Sequence, residues 1–410
     1  MAKLISHKNV SIVTAILPHY VANQVIEEVF AVGERNTLLI NARGTLIRDR
    51  WYQGLLPVMS PEKEYLQFLV PDREVSRMVE TIVTAGDLHL PGAGAVFAVP
   101  CDELACSEDF SLWSTTTWEH DNFNASRNLR ENLTAIYCIV RTDQSERISR
   151  AAMAAGAHGP IIFYCHGRGL RDRLGWLRIT KKHDKEVIVI VVDNADAVAV
   201  TEAMIDAGDI DLPGHGFLFR MPVQVGVINI GSTFGRRRYA ANIQQIIAAI
   251  DDLQGSSVWR DQRVNQLVGT GKSAGLNLFG KVKERAYLSG QCILSCIVAR
   301  KHVDTILDAA LAGGAPGANV SFAKLIEADS AANTHGIRFN RERAVIRIIL
   351  AETLLRAVVS SIESACATDD FGEICLYSQP VTRAITYVPN ADNTAKTNTS
   401  GDYERETRDS

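Results

Sequence analysis

The sequence predicts an α+β protein in which one β-α-β-β-α-β unit is written three times in tandem. Three observations carry this expectation. The stretch AGDLHLPGAG, residues 85–94, returns as AGDIDLPGHG, residues 207–216, with seven of ten letters identical. The segments before each turn repeat in kind and order, and self-similarity at a long period is the signature of tandem units. The chain has 410 residues, too long for one ordinary core, and its 46% hydrophobic and 22% charged residues are normal for a folded globular protein.

The first copy opens with the strand VSIVTAIL and the helix NQVIEEVFAVG, stopped at Gly33. Glycine is the usual left-handed stop of a helix because it carries no Cβ penalty there. The strand EYLQFLV follows and ends at Pro71. The next helix carries Val75, Met78, Val79, Ile82 and Val83, spacings that line one apolar face. The glycine-rich turn and the strand AVFAV close the copy. The second copy reads TAIYCIV, then a helix through RISRAAMAAG stopped at Gly156, a strand, VIVIVV, a helix through Ala203, Met204 and Ile205, the turn, and FLFRM. A third, more eroded copy reads QCILSCIVA, HVDTILDAALAGG, ANVSFAKL, RAVIRIIL, TLLRAVVSSIES, the turn ATDDFGE and ICLYS.

The element order in each copy is that of the split βαβ, ferredoxin-like plait. Such a sheet has helices on one face only, so its other apolar face must be covered. Three linked copies can do this by packing around a central pseudo-threefold axis, with clefts between neighbours. The expected organisation is therefore repeat 1 over 8–105, a linker over 106–132, repeat 2 over 133–230, a helical insert over 231–287, repeat 3 over 288–388 and a disordered tail over 389–410. The insert carries Ile243, Ile246, Ile247 and Ile250 at amphipathic helical spacing, and the tail has almost no apolar residues.

Composition excludes several classes. A formal net charge of −4 argues against a nucleic-acid binder, and the Arg236–Arg238 cluster reads as a solvated face. No apolar run is long enough to span a bilayer, and the first residues leave little room for a secretory signal. The eight cysteines form no paired CxxC motifs, so they read as free, buried, reduced thiols, with Cys292 and Cys296 four apart on one strand face. That points to the cytoplasm. His158, His166, His183 and His215 show no metal-ligand spacing. GTGKS at 269–273 ends like a phosphate-binding loop, but Gln266 stands where that motif needs glycine. No nucleophile, base and orienting group come together in the pattern, so no enzyme is expected.

The second copy's GAHGPIIFYCHGRGLR, residues 156–171, resembles the second strand and the start of the long T-loop in the PII signal-transduction family (nitrogen regulatory protein P-II). The repeated turn followed by AVF or FLF resembles the PII B-loop, which ends in GDGKIFV. The resemblance covers most of all three copies. It implies a whole PII-like trimer in one polypeptide, a non-enzymatic regulator. Such a protein binds an adenine nucleotide or a small anion in the inter-repeat clefts. It acts on a membrane transporter or a metabolic enzyme through its T-loops.

Residue by residue, the resemblance places Gly44 and Gly167 at the start of the T-loop, with Gly169 as its second glycine and Leu325 replacing the first glycine in copy three. It places Lys63, Lys185 and Arg343 at the anion-binding end of that loop, before the third strand. It places Gly92, Gly94, Gly214 and Gly216 in the B-loop, where glycine lets backbone N–H groups approach a phosphate. For these residues the plainer readings are a solvated charge at a strand start and a tight turn. The family's B-loop lysine is absent: Ala95, Phe217 and Glu373 are counted at its position. Of the family's arginines after the fourth strand, only Arg383 has a counterpart. The alternative expectation is therefore a structural adaptor that has lost nucleotide binding.

Overall fold

The computed structural model describes residues 4–45, 62–90, 92–108, 110, 129–169, 183–229, 285, 287–328, 337–368 and 371–387. The 231–287 insert apart from Arg285 and Tyr287, most of the 106–132 linker and the 389–410 tail lie outside these residues.

After β1 (Leu4–His7), the chain runs β2 (Val10–Pro18), α1 (His19–Ala31), β3 (Asn36–Gly44), β4 (Glu62–Pro71), α2 (Val75–Ala85), β5 (Gly94–Pro100) and β6 (Glu103–Ser107). It continues through β7 (Leu133–Arg141), α3 (Ser145–Ala154), β8 (Ile161–Gly169), β9 (His183–Asp193), α4 (Asn194–Gly208), β10 (Gly216–Val223) and β11 (Val225–Asn229). The last stretch is β12 (Gln291–Ala299), α5 (Val303–Ala312), β13 (Gly317–Ala328), β14 (Ile337–Ala351), α6 (Glu352–Thr368), β15 (Cys375–Val381) and β16 (Arg383–Thr386). The β-α-β-β-α-β order is thus met three times, and we call these stretches units one to three.

The strands pair into one curled antiparallel sheet of 16 strands among the described residues. In unit one β2 lies between β4 and β5, and β3 lies outside β4. In unit two β7 lies between β9 and β10, with β8 outside β9. In unit three β12 lies between β14 and β15, with β13 outside β14.

The helices form where the sequence places an apolar stripe. α1 buries Ala22, Val25, Ile26 and Val29, and α2 buries Val75, Met78, Val79 and Ile82. Gly33 and Gly156 follow α1 and α3 with φ of 114° and 108°. The strands read as near-continuous apolar runs because both their faces are buried. Along β2, Ile12 and Ile16 enter a core shared by all three units, while Val13, Ala15 and Leu17 enter the core beneath α1 and α2. Units two and three each have their own helix-side core as well.

Two sets of strand pairs join the units. The second strands meet in a cycle with one repeated register. Gly44 of β3 faces Ile161 of β8, Gly167 of β8 faces Asn319 of β13, and Leu325 of β13 faces Leu38 of β3. The short strands β6, β11 and β16, which the sequence reading did not include, each leave one unit and pair with the fourth strand of another. Ala98 faces Val225, Arg220 faces Arg383, and Ser378 faces Glu103.

One expectation is corrected here. Cys106 and Cys375 are disulfide-bonded rather than free, which removes part of the ground for a reducing compartment. The crossing strand β6 sets them directly opposite each other on β15, with Cα atoms 4.1 Å apart. The other six cysteines are free, and all but Cys101 are buried. No helix among the described residues is long and apolar enough to cross a membrane.

Candidate functional site

Each junction between units gathers basic residues at matching register. Lys63 faces Pro18, Lys185 faces Arg141 and Arg343 faces Ala299, in each case the last residue of a first strand. Strand alternation places the residue two positions on, Tyr65, Val187 or Val345, in the shared core. The Lys185 side chain lies over Gly167, where a Cβ would come within 2.7 Å of its Cε. The absence of a side chain at 167 therefore makes room for the lysine. Lys63 is half-buried, and desolvation lowers its ammonium below the usual lysine range. A cation in that state gains from an anionic neighbour.

The junctions also hold residues that the sequence reading missed. Arg43, one residue before Gly44, crosses from unit one to unit two. Its Nη2 donates to Oε1 of Glu186 at 2.9 Å and to Oγ of Ser145 at 3.3 Å. Glu186 is 1% exposed. The matching acid of unit one, Glu64, pairs with His19 Nδ1 at 2.5 Å. One carboxylate oxygen of each acid, Oε2, has no hydrogen-bond partner among the described residues. The available sequence signal was the repeated Lys-Glu dipeptide at 63–64 and 185–186. By the strand register, His166 and Lys324 are the counterparts of Arg43 at the other two junctions.

The third junction is closed internally. Glu373 pairs with Arg343 and, at 2.5 Å, with Arg341. Strand register also moves Glu373 from its counted position. Opposite Ile16, Ile139 and Ile297 stand Ala95, Phe217 and Cys375. Cys375, not Glu373, is therefore the structural counterpart of Ala95 and Phe217. The shorter third turn had obscured this.

The repeated turns divide into packing and open positions. Asp87 and Asp209 take left-handed backbone at φ 50° and 48°, within two residues of the ends of α2 and α4. Leu88 and Ile210 are fully buried. A Cβ on Gly216 would meet the Ile139 carbonyl oxygen at 2.6 Å, and Gly94 stands likewise against the Ile16 carbonyl. These two glycines let the fourth strand close on the first. Gly92 and Gly214 have φ of 85° and 76°, and a Cβ on Gly214 would meet nothing within 4 Å.

The neighbouring unit reaches the second turn through Thr386, whose Oγ1 donates to the Gly216 carbonyl at 2.8 Å. Arg383 does not join this turn. It is exposed, faces Arg220 farther along the ladder, and lies over the Tyr287 ring at 5.1 Å. Gly169 pairs with Gly317 at the second junction. Among the described residues, no group of three or more His, Cys, Asp or Glu could hold a metal.

No family model matches the chain, and no curated protein matches it. Among solved structures, the ligand-free regulatory subunit of aspartate kinase from Thermus thermophilus is similar at 12% identity and a TM-score of 0.18, over 50% of this chain and 97% of that one. An unknown protein from Galdieria sulphuraria is similar at 12% identity and a TM-score of 0.17, over 61% of this chain and 99% of that one. An alkyldihydroxyacetonephosphate synthase is similar at 9% identity and a TM-score of 0.14, over 82% of this chain and 48% of that one. Likenesses this slight carry no argument about function.

Proposed function

We propose that the three units are ferredoxin-like plaits about a pseudo-threefold axis, and that the chain is a PII-like, non-enzymatic regulator. It binds a small anionic effector, an adenine nucleotide or a simple anion, at the junctions between units. It acts on a protein partner through the segments Gly44–Lys63 and Gly167–Lys185. The observation that carries this reading is the recurrence of one inter-unit register three times, with a basic residue at each of two matching positions: Lys63, Lys185, Arg343 and Arg43, His166, Lys324. A general structural role would not require a basic residue type at the same position of every junction. Two of the junctions keep a lysine for an incoming anion, while the third is neutralised by Glu373.

An effector acts in this way only if it favours one state of the reporting segments over another. Calorimetry with ATP, ADP, AMP, cyclic AMP, 2-oxoglutarate and bicarbonate tests the reading. Binding tighter than millimolar that is lost in Lys63→Ala/Lys185→Ala supports it, and no binding by any of the six overturns it.

A second reading, an adaptor without a ligand, is favoured by Ala95 and Phe217, which bring no cation to the turns. An adaptor would hold its partner equally well with and without the six compounds in a pull-down.

A further inference from the structure

Where the three units meet, the shared core holds a chain of polar groups that the proposed junction sites do not use. Arg347 of unit three is 7% exposed. Its Nη2 donates to Gln67 Oε1 of unit one at 3.0 Å, and its Nη1 reaches Ser321 Oγ at 3.4 Å. Its guanidinium carbon lies 5.8 Å from the ring centroid of Phe163 of unit two. Gln67 Nε2 donates to Tyr65 Oη at 3.2 Å, and Tyr65 Oη lies 3.1 Å from Tyr137 Oη of unit two. Tyr377, which hydrogen-bonds Ser295, lines the same region.

Two imbalances follow from the chemistry of these groups. A guanidinium only donates, so the Gln67 oxygen must face Arg347 and its amide nitrogen must face Tyr65. The two phenols then bring two hydrogens to one shared contact. One phenol hydrogen has no acceptor among the described residues. The second imbalance is charge. Arg347 has no carboxylate within ion-pair distance among the described residues, and its bonding partners are neutral. A buried charge is costly unless it is paired. Burial holds the Tyr137 phenol well above its ordinary range and pushes Tyr377 up to about 12, so neither phenol supplies the countercharge at neutral pH.

We propose that this meeting point of the three units is a binding site for a monovalent inorganic anion of the chloride class, held beside the Arg347 guanidinium and the spare hydrogen of the Tyr65–Tyr137 pair. The anion balances the charge, accepts the hydrogen and adds one more link where residues of all three units come together. The close packing of the core favours a monatomic ion over a nucleotide or an organic acid. Its proposed ligands, Arg347 and the Tyr65–Tyr137 pair, do not include the lysines at the junctions.

The test is thermal unfolding of the full chain as sodium chloride replaces sodium gluconate at constant ionic strength. A ligand that binds the folded state raises the midpoint with its concentration. The midpoint is expected to rise by several degrees in the wild type and in Lys63→Ala/Lys185→Ala. It is expected to be insensitive to chloride in Arg347→Met and less sensitive in Tyr137→Phe. An insensitive wild type overturns the proposal. So does a chloride response that persists in Arg347→Met or disappears in the double lysine variant. Should Arg347→Met fail to fold, crystals grown in bromide decide the matter: an anomalous peak beside Arg347 supports the site, and its absence overturns it.

Discussion

Arg43 of the first unit and Glu186 of the second form a 2.9 Å ion pair across the junction between them, and the acid is almost completely buried. The two residues are 143 positions apart in the chain. The pair sits one residue away from both Gly44 and Lys185, so it holds in register the site proposed for an anion.

Removing Arg43 leaves Glu186 buried without its cation. We predict that Arg43→Met destabilises the protein by roughly 1–3 kcal/mol, below the usual cost of breaking a fully buried pair because Arg43 is partly exposed. Arg43→Met/Glu186→Gln should recover part of that loss, as read by urea unfolding. Equal losses in the single and double variants would show that the pair adds nothing.

The two kinds of glycine in the repeated turns should separate in stability. Gly216→Ala forces a Cβ against the Ile139 carbonyl at a positive φ, whereas Gly214→Ala meets open space and pays only for its φ. Gly214→Ala is predicted to cost about 1–2 kcal/mol. Gly216→Ala should cost roughly 3 kcal/mol or more, because overpacking adds to the backbone term. Urea midpoints compare them, and similar costs would contradict the packing role.

The third junction should not take an anion while Glu373 occupies Arg341 and Arg343. Calorimetry on the wild type should give two equivalents of effector at most, and Glu373→Gln should add a further one. A wild type that already binds three, or a variant with unchanged stoichiometry, would refute the closure.

Glu34 sets a pH dependence. Its carboxyl is fully buried, and desolvation holds it well above the usual carboxylate range despite hydrogen bonds from the Arg35 and Asn36 backbone N–H groups at 3.2 Å. The folded state therefore keeps a proton that the unfolded state releases near pH 4.3. Stability falls as pH rises from that value towards the raised folded-state pKa. Glu34→Gln should flatten this decline and raise stability at pH 7 relative to pH 5. A variant whose unfolding free energy keeps the wild-type pH profile would exclude Glu34 as its source.

Much of the local structure was legible in the chain. Apolar spacing located α2, the left-handed glycines at 33 and 156 marked the ends of α1 and α3, and the repeated turn indicated a repeated unit. The basic residues at 63, 185 and 343 were also legible, and the structure places them at matching register. The short strands β6, β11 and β16 were not, because four or five residues carry too little periodicity and their pairing partners lie in other units. The third turn was misaligned by counting from its Gly-Glu pair, whereas strand register brings Cys375 into line.

The sequence by itself determined which segments become the helices and the longer strands of each unit, because those choices rest on side-chain spacing and backbone preference within a few residues. Only the tertiary structure decided which residues meet across units: Arg43 with Glu186, Glu373 with Arg343, Cys106 with Cys375, and Arg347 with Gln67. Those contacts arise when apolar sheet faces are buried together and strand register carries distant side chains along. A partner tens or hundreds of residues away leaves no mark in the local pattern.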